Sequence, residues 1–501
     1  MSNPLFKFFF VLSFSLLFSS GHLENPDTHL RLTQVRTLVQ KGTIAIDPGF
    51  GEESHGNIAT NQHGVKYSVY NPGQMILLAP IYYVASFVSK TDFDAYYRSA
   101  FIISFLGFII HGLTILVFWS FGHVLGIQYK PRLIATVVFA LTSYGFSSAQ
   151  DSYEHMYEAF FILLAFRLTF IEKISVANGF LIGSVLGLAL LFRSTAVLGL
   201  PALIYLVKGR HQRFSTIGGF LVFVSILGIY NYLRFDNPFE TGYTSAWETA
   251  YGIKPEETFS FYNMPKHLLG LVLSPSKGIV IFSLSLIVVA FGFKHFYHAQ
   301  TRLFLAITGL AALFLLFYSA NFAWHGSAWC WGPRYILAVV PLMYLSLFYV
   351  SKPSKKVFAF IYAISFVIQM LGVATYYKRD LIKKLIVEGD IFWTDDYYFN
   401  PVNSPVIGSY VSFKDVTSSV LLRKDKFLFL PDGPWKNENR PATQQQMLDS
   451  SIDLTCYNFW WFRALYITDS WFVKILALTI PSIALAYLFF FALNLLHKSN
   501  V

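Results

Sequence analysis

Two acidic clusters stand at the ends of apolar stretches in this sequence. Asp27 follows the apolar residues 8–21 within six positions, and Asp151, Glu154 and His155 precede another apolar run. A carboxylate at the edge of a bilayer is costly in free energy unless a partner or a function requires it. Asp27 could therefore act as a general base on an acceptor hydroxyl, or it could simply cap the helix that follows it.

The second cluster has the spacing of a helical turn. Asp151 and Glu154 are three residues apart, so on a helix they would share one face. They could assist the base, position an acceptor or hold a divalent metal ion, whereas the alternative is a solvated loop with a helix cap. We predict Asp27, Asp151 and Glu154 as catalytic residues, with Glu24 and His155 at the substrate, and leave the metal open.

A single cation interrupts a long apolar run. Arg193 lies within residues 177–207, which are otherwise almost entirely apolar. An arginine inside a membrane usually pairs with an anion, which could be a lipid-linked phosphate or the carboxylate of a structural ion pair. We predict two short spans that meet at Arg193, with one long tilted span as the alternative.

Two loops, residues 63–73 and 324–335, mix cations, aromatic rings and turn residues. Tryptophan faces can stack on the C–H surface of sugars and arginine binds phosphate, although interfacial aromatic belts have a similar composition. We predict Lys66 and Arg334, with Arg193, as contacts of a donor phosphate. The predicted substrate contacts in these loops are Tyr67, Trp324, His325 and Trp329.

The composition indicates a membrane protein. The chain has 501 residues, of which 54% are hydrophobic and 13% charged, and its mean hydropathy is +0.49. The net charge of +10 is explained by basic residues that flank spans, so no nucleic-acid partner is inferred. There is no zinc-type Cys/His spacing, Walker loop or dinucleotide fingerprint, and Cys330 and Cys456 could form a disulfide.

Twelve spans give short basic loops on the inside and three long polar segments, 22–98, 235–275 and 377–470, on the outside. The predicted spans are residues 5–21, 99–121, 131–149, 156–171, 176–192, 195–207, 215–234, 276–293, 301–319, 335–350, 356–376 and 471–495.

Several features leave alternatives open. Residues 1–20 could be a cleaved signal peptide, and residues 73–89 could span, although we interpret them as an interfacial or re-entrant helix. A basic cluster that begins at Lys378 and Arg379 lies on the predicted outside, where it could contact lipid phosphates. Residues 24–42 have helical spacing, and the alternation over 411–430 suggests strands.

The order of these features along the chain carries a resemblance to a known family. The motifs are an acidic residue past the first span, Lys66-Tyr67-Ser68 with Pro72-Gly73, an acidic loop before the fourth span, Arg193, Asn237-Pro238-Phe239-Glu240-Thr241-Gly242-Tyr243, Ser274-Pro275-Ser276-Lys277-Gly278, Gly332-Pro333-Arg334-Tyr335 and Trp460-Trp461. Together they resemble the GT-C glycosyltransferases, in the branch of the protein O-mannosyltransferases and lipid A aminoarabinose transferases (family 39-like).

The resemblance implies an all-α polytopic membrane protein with a GT-C-type bundle of about 12 transmembrane helices. Residues 1–376 would form the multi-span module, 377–470 a small mixed extracytoplasmic segment, and 471–501 the last helix and a cytoplasmic tail. A sugar would pass from a polyprenyl-phosphate carrier to a glycan, lipid or protein acceptor, with inversion at the anomeric carbon. The family's catalytic acid corresponds to Asp27, and its second acidic position to Asp151 or Glu154.

The chemistry agrees with this implication, because a carboxylate can deprotonate the acceptor while a cation or metal ion neutralises the departing phosphate. The predicted location is a bacterial inner membrane, with the site facing outside. A transporter or flippase of a lipid-linked sugar is the competing hypothesis, since it needs the same basic and aromatic site but no base. A polymer ligase or polymerase would share the donor and differ in its acceptor.

Overall fold

The computed structural model describes residues 4–46, 56–171, 175–351, 355–381, 395–421 and 456–499. Within them the regular secondary structure is helical except for one two-stranded ribbon and an isolated antiparallel bridge between Phe259 and Asn321. The first half comprises α1 (Pro4–Phe18), α2 (Pro26–Lys41), β1 (Ile58–Thr60), β2 (Lys66–Ser68), α3 (Pro72–Val88), α4 (Asp92–Ile103), α5 (Leu106–Val124), α6 (Tyr129–Thr142), α7 (Tyr144–Ser148), α8 (Glu154–Leu168), α9 (Val176–Phe192), α10 (Gly199–Leu206) and α11 (Arg210–Phe235).

The second half comprises α12 (Tyr243–Tyr251), α13 (Met264–Leu273), α14 (Ile279–Phe282), α15 (Leu286–Ala290), α16 (Phe293–Ala299), α17 (Thr301–Ala320), α18 (Val340–Met343), α19 (Lys356–Ala374), α20 (Asp395–Phe399), α21 (Pro405–Leu421), α22 (Trp460–Ile467) and α23 (Trp471–Ser499). Short 3-10 segments occupy Ala149–Asp151, Ser194–Leu198, Pro255–Glu257, Arg334–Val339, Tyr344–Tyr349 and Pro401–Asn403. The two strands pair antiparallel, with Ala59 opposite Tyr67.

Five helical stretches in the described part are long and apolar enough to cross a membrane. They are Asp92–Val124, which joins α4 and α5, Arg210–Phe235, Thr301–Ala320, Lys356–Ala374 and Trp471–Leu495. A helix of about 20 residues is about 30 Å long, which matches the hydrocarbon core of a bilayer. In the last of the five, only 22% of the most apolar 18-residue window is buried inside the protein. An apolar surface of that extent needs lipid around it, so the chain is an integral membrane protein.

The remaining predicted spans coincide with shorter or interrupted helices. Pro4–Phe18 and Val176–Phe192 are apolar helices of 15 and 17 residues. The predicted span 276–293 is broken into α14 and α15, and 335–350 consists of two 3-10 segments on either side of α18. The total of twelve crossings stays a prediction.

The directions of α1 and α5 show that α3 does not cross the bundle. The Ser15 hydroxyl donates to the Phe105 carbonyl at 2.8 Å, and the Phe14 ring lies 5.9 Å from that of Phe108, so α5 runs antiparallel to α1. Had residues 73–89 crossed, α5 would run parallel to α1. Residues 73–89 therefore return the chain to the end of the bundle where α1 finishes, as predicted.

The segment before the last helix is helical where it is described. In α21 the buried positions Gly408, Ser412 and Val416 recur every four residues, which is the period of a helix. The predicted strands over 411–430 are therefore wrong as far as residue 421, because the buried positions do not alternate. Residues 422–430 lie outside the described residues. The helix predicted over 24–42 is confirmed as α2.

The basic cluster after α19 binds within the protein. The Lys378 side chain is fully buried and its ammonium donates to the backbone carbonyl of Glu24. Arg379 pairs with Asp415 at 3.3 Å. These two residues join the segment after α19 to the first loop and to α21, so the expected contact with lipid phosphates is wrong for them.

Candidate functional site

A cavity of about 540 Å³ opens at one end of the bundle. Its walls come from the start of α2, the turn between β2 and α3, the residues before α8, the break after α9, residues 241–259 and the loop that follows α17. These are alternate helix ends along the chain, as an up-and-down bundle requires. The predicted topology places the same loops on one side of the membrane.

Asp27 lies in the cavity wall as the second residue of α2. The helix is capped by Asn25, whose side-chain oxygen accepts from the Asp27 backbone N–H at 2.8 Å, so Asp27 is not the cap. A negative charge in the first turn suits the helix dipole. Asp27 Oδ2 accepts a hydrogen bond from Arg334 Nη1 at 2.7 Å, and both side chains are nearly buried. This ion pair brings together two predicted site residues.

Glu154 lies between two arginines behind the cavity wall. Its Oε2 is 2.7 Å from Arg31 Nη2 and its Oε1 accepts from Arg193 Nη1 at 3.0 Å. The Arg31 guanidinium also stacks on the Tyr70 ring at 3.7 Å from the ring centre. One carboxylate thus serves two guanidinium groups. Arg31 was not predicted, although its position four residues after Asp27 on a helix indicates the same face.

Arg193 reaches the cavity from a break between two helices. α9 ends at Phe192, and Arg193 has an extended backbone that precedes the 3-10 segment Ser194–Leu198. The predicted break is therefore confirmed, and the single tilted span is wrong. Arg193 Nη2 donates to the Tyr318 hydroxyl at 3.1 Å, and the Tyr318 ring stacks on Tyr335 at 4.3 Å. The arginine is thus both half of an ion pair and part of the cavity lining.

A second acidic residue, Glu158, is connected to Arg193 by hydrogen bonds through Tyr318 and Thr195. Tyr318 donates from its hydroxyl to Thr195 Oγ1 at 3.2 Å, and Thr195 donates to Glu158 Oε1 at 2.7 Å. Glu158 is fully buried in α8, one turn after Glu154. The sequence reasoning missed it, and its position four residues after Glu154 is the signal that could have found it.

The loop after α17 contributes His325, Trp329 and Arg334 to the cavity. The His325 ring stacks on Tyr398 at 4.1 Å, and its Nδ1 accepts from the Ser327 backbone N–H at 3.0 Å. Burial, with a further contribution from the charge of Lys277, lowers the pKa of His325 well below its usual value. His325 is therefore a neutral hydrogen-bonding group at physiological pH.

A buried lysine fixes the shape of this loop. Lys277 Nζ donates to the backbone carbonyls of Ser327 and Cys330 at 2.7 Å each. Ser327 also has a positive φ of 79°, which turns the chain sharply. Cys330 and Cys456 are both buried and are not joined by a disulfide, so the suggested disulfide is wrong.

Five other predicted contacts do not line the cavity. Lys66 is exposed on β2, while Tyr67, the next residue, is buried against the end of α11 because successive strand residues point in opposite directions. Glu24 is buried and accepts a hydrogen bond from the side-chain amide of Asn458, just before α22. His155 is fully buried beside the ring of Tyr335. Trp324 is in the core, with its Nε1 donating to Asp395 at 3.3 Å.

The described carboxylates of the site are bound by arginines and are not grouped as metal ligands. Among the described residues no group of three or more His, Cys, Asp or Glu side chains could hold one. Asp27 and Glu154 are both bound by guanidinium groups, whose positive charge disfavours a cation at the same oxygens. The backbone of Asp151 is in a 3-10 segment, and its side chain lies outside the described part of the structure.

Comparisons with known proteins give similarities among solved structures. No protein-family model matches the chain, and no curated protein matches it. The chain is similar to ArnT from Cupriavidus metallidurans bound to undecaprenyl phosphate, with 13% identity over 84% of this chain and 71% of that chain and a TM-score of 0.45. The apo state of the same protein gives 14% identity over 84% of this chain and 72% of that chain, with a TM-score of 0.44.

A further similar structure is the archaeal oligosaccharyltransferase AglB from Archaeoglobus fulgidus, in complex with an inhibitory peptide and a dolichol-phosphate. The identity is 12%, the TM-score is 0.45, and the match covers 87% of this chain and 58% of that chain.

Proposed function

We propose that this chain is a membrane glycosyltransferase that moves a sugar from a polyprenyl-phosphate carrier to an acceptor hydroxyl. The observation that carries the proposal is the cavity, in which a nearly buried carboxylate, Asp27, shares one space with the guanidinium groups of Arg193 and Arg334. Transfer from a phosphate donor requires these two kinds of group, a base for the acceptor and cations for the leaving phosphate.

The donor phosphate binds at Arg193 in this proposal. Arg193 shares the charge of Glu154 with Arg31, and its second nitrogen donates to the neutral hydroxyl of Tyr318. The positive charge of two guanidinium groups is thus met by one carboxylate in direct contact. A phosphate entering the cavity would supply further negative charge, and arginine suits it because the guanidinium can donate two parallel hydrogen bonds.

Asp27 acts as the general base. The proton of the acceptor hydroxyl passes to the Asp27 carboxylate as the acceptor oxygen bonds to the anomeric carbon. The bond from that carbon to the phosphate oxygen breaks, and the phosphate leaves on its lipid. Attack opposite the leaving group inverts the anomeric carbon through an oxocarbenium-like transition state. Arg334 orients the carboxylate, and the site faces the outside of a bacterial inner membrane.

The arrangement of the broken helices favours an enzyme over a transporter or flippase. Transporters commonly place interrupted helices in corresponding positions of two repeated halves, at the middle of the membrane. Here the interrupted stretches are 192–199, 279–290 and 334–349, of which the last two are the neighbours of α17 in the chain and the first stands apart from them. The cavity lies at the helix ends instead, where a water-borne acceptor could enter.

The test is Asp27→Asn in purified protein reconstituted into liposomes. Release of polyprenyl phosphate from polyprenyl-phosphate mannose and polyprenyl-phosphate aminoarabinose measures turnover, and the loss should be about 100- to 10,000-fold. Glu256→Gln, which changes an exposed carboxylate outside the cavity lining, is the matched control and should keep full activity. Each rate is divided by the fraction of folded protein, which thermal unfolding measures. Near-normal turnover of Asp27→Asn would remove Asp27 as the base.

A further inference from the structure

We infer that one wall of the cavity is an acceptor subsite for an uncharged carbohydrate, an inference that rests on the proposed function and gives it an acceptor class. This wall, called the aromatic wall below, consists of the lining residues from 241–259 and 321–323. Its members are Thr241, Tyr243, Thr244, Trp247, Tyr251, Thr258, Phe259, Asn321, Phe322 and Ala323.

The aromatic wall contains no charged side chain, although its own segment carries several. Glu248, Lys254, Glu256 and Glu257 lie between residues 243 and 258, and all four are exposed and absent from the lining. The described lining residues of the types Asp, Glu, Lys and Arg are Asp27, Arg193 and Arg334, and all three belong to other segments. The charged side chains of the cavity thus come from segments other than the aromatic wall.

The uncharged part presents aromatic surfaces at steep angles to one another. The Trp247 and Phe322 rings are 4.9 Å apart at 82°, and the Tyr243 and Trp247 rings are 5.2 Å apart at 58°. Trp247 is partly exposed to the cavity. Aromatic faces of this kind pack against the C–H faces of pyranose rings while their polar edges stay available for hydrogen bonds.

The polar groups of the wall are neutral and can both donate and accept. Threonine hydroxyls and the Asn321 amide line it, and burial raises the pKa of Tyr243 to about 12, so its hydroxyl keeps its proton. Sugar hydroxyls need such mixed partners, whereas a phosphorylated or acidic acceptor would need cations that this wall lacks.

A carbohydrate fits this wall better than a peptide does. Extended peptides are commonly bound through main-chain hydrogen bonds to a strand edge. The strands of the ribbon, Ile58–Thr60 and Lys66–Ser68, do not line the cavity, which reaches the neighbouring Gly56 and Asn57. The isolated antiparallel bridge of Phe259 with Asn321 lies in the wall, and its backbone hydrogen bonds are made between its own two segments. The wall offers side chains and ring faces, which suit a ligand whose own surface is hydroxyls and C–H groups.

The first test measures binding without the reaction. Labelled full-length protein in lipid nanodiscs is applied to a glycan array that holds neutral, sialylated and phosphorylated glycans, with serine- and threonine-containing peptides on the same array. Retention by neutral glycans alone, lost in Trp247→Ala and partly restored in Trp247→Phe, is the expected result. Selective retention by acidic glycans or peptides, or neutral retention that Trp247→Ala leaves unchanged, would overturn the inference.

The second test uses kinetics with the acceptors that bind. Trp247→Ala should lower kcat/KM for the acceptor about tenfold and leave KM for the polyprenyl-phosphate donor unchanged. Phe261→Ala removes a ring that is 81% exposed outside the cavity lining and should change neither value. A raised donor KM in Trp247→Ala would assign the wall to the donor sugar.

The two proposals fail in distinguishable ways. If Asp27→Asn keeps normal transfer, the assignment of the base fails while the array result stands. If transfer needs Asp27 but neither the array nor the acceptor KM responds to Trp247, the carbohydrate subsite fails and the glycosyltransferase proposal stands.

Discussion

Replacing Glu154 by glutamine should destabilise the protein more than replacing Arg193 by alanine. Glu154 and Arg31 have side chains that are 1% exposed, whereas Arg193 is 15% exposed. Glu154→Gln removes the charge that compensates Arg31 and Arg193 together. Arg193→Ala leaves Glu154 paired with Arg31, so no buried charge loses its last direct partner in this cluster.

The expected loss of stability follows from the burial of these charged side chains. Removing one partner of a buried ion pair costs about 3–5 kcal/mol, because the other charge stays in a poorly solvating interior. With an unfolding entropy of about 2.1 cal/mol/K per residue, a chain of this length gains about 1 kcal/mol/K on unfolding. Glu154→Gln should therefore lower the thermal midpoint by about 3–5 °C. Arg193→Ala should lower it by about 2 °C or less, since it removes hydrogen bonds to charged groups at a partly exposed site.

The assay is thermal unfolding of purified variants in one detergent, followed by intrinsic fluorescence. The double variant Arg31→Gln with Glu154→Gln measures the interaction free energy between the two residues. Removing both charges should cost less stability than the sum of the two single changes. Equal midpoints for Glu154→Gln and the wild type would refute the reasoning, as would a larger loss in Arg193→Ala than in Glu154→Gln.

Two further outcomes follow from the same structure. Arg193→Ala should weaken binding of a polyprenyl-phosphate sugar more than binding of an acceptor, and Arg193→Lys should restore it only in part; an unchanged donor affinity in folded protein would contradict the phosphate role. Val402→Cys, at a position that is 68% exposed, should react with an impermeant thiol reagent added outside intact cells. Cys330 and Cys456 are buried and give a low background, and labelling from the cytoplasmic side alone would place 377–470 inside.

The helical framework could be predicted because a membrane leaves a strong signal in the sequence. Apolar runs of about 20 residues located the five long apolar helices of the described part, whereas the predicted spans 276–293 and 335–350 are interrupted. The break at Arg193 was predictable for the same reason, since a charge inside an apolar run is rare. The 3-10 geometry over 334–349 was not predictable, because an apolar run looks the same whether its backbone is regular or interrupted.

The cavity could be predicted only in part. Asp27, Arg193 and Arg334 stand out as charges beside apolar stretches, and the structure brings all three together. Lys66 and Trp324 were misplaced because residue type alone does not say which way a side chain points. In a strand adjacent residues face opposite sides, so Lys66 is exposed while Tyr67 is buried. The aromatic wall was not predicted either, although Tyr243, Trp247 and Tyr251 recur every four residues, the spacing that places side chains on one face of a helix.

The ion pair of Asp27 with Arg334 contributes both to the proposed chemistry and to the stability of the fold. The two residues are 307 positions apart in the chain, and the loop that carries Arg334 is held by the buried ammonium of Lys277. If Asp27 is the base, as proposed, its carboxyl becomes neutral once in each turnover, and the ion pair with Arg334 then loses its charge attraction. Arg334 also lies against the ring of Tyr153, at 5.0 Å from its centre, and this aromatic contact does not depend on the charge of Asp27. The contact can keep the guanidinium in position while the carboxyl is protonated, so in the proposed mechanism Arg334 orients the base throughout the turnover.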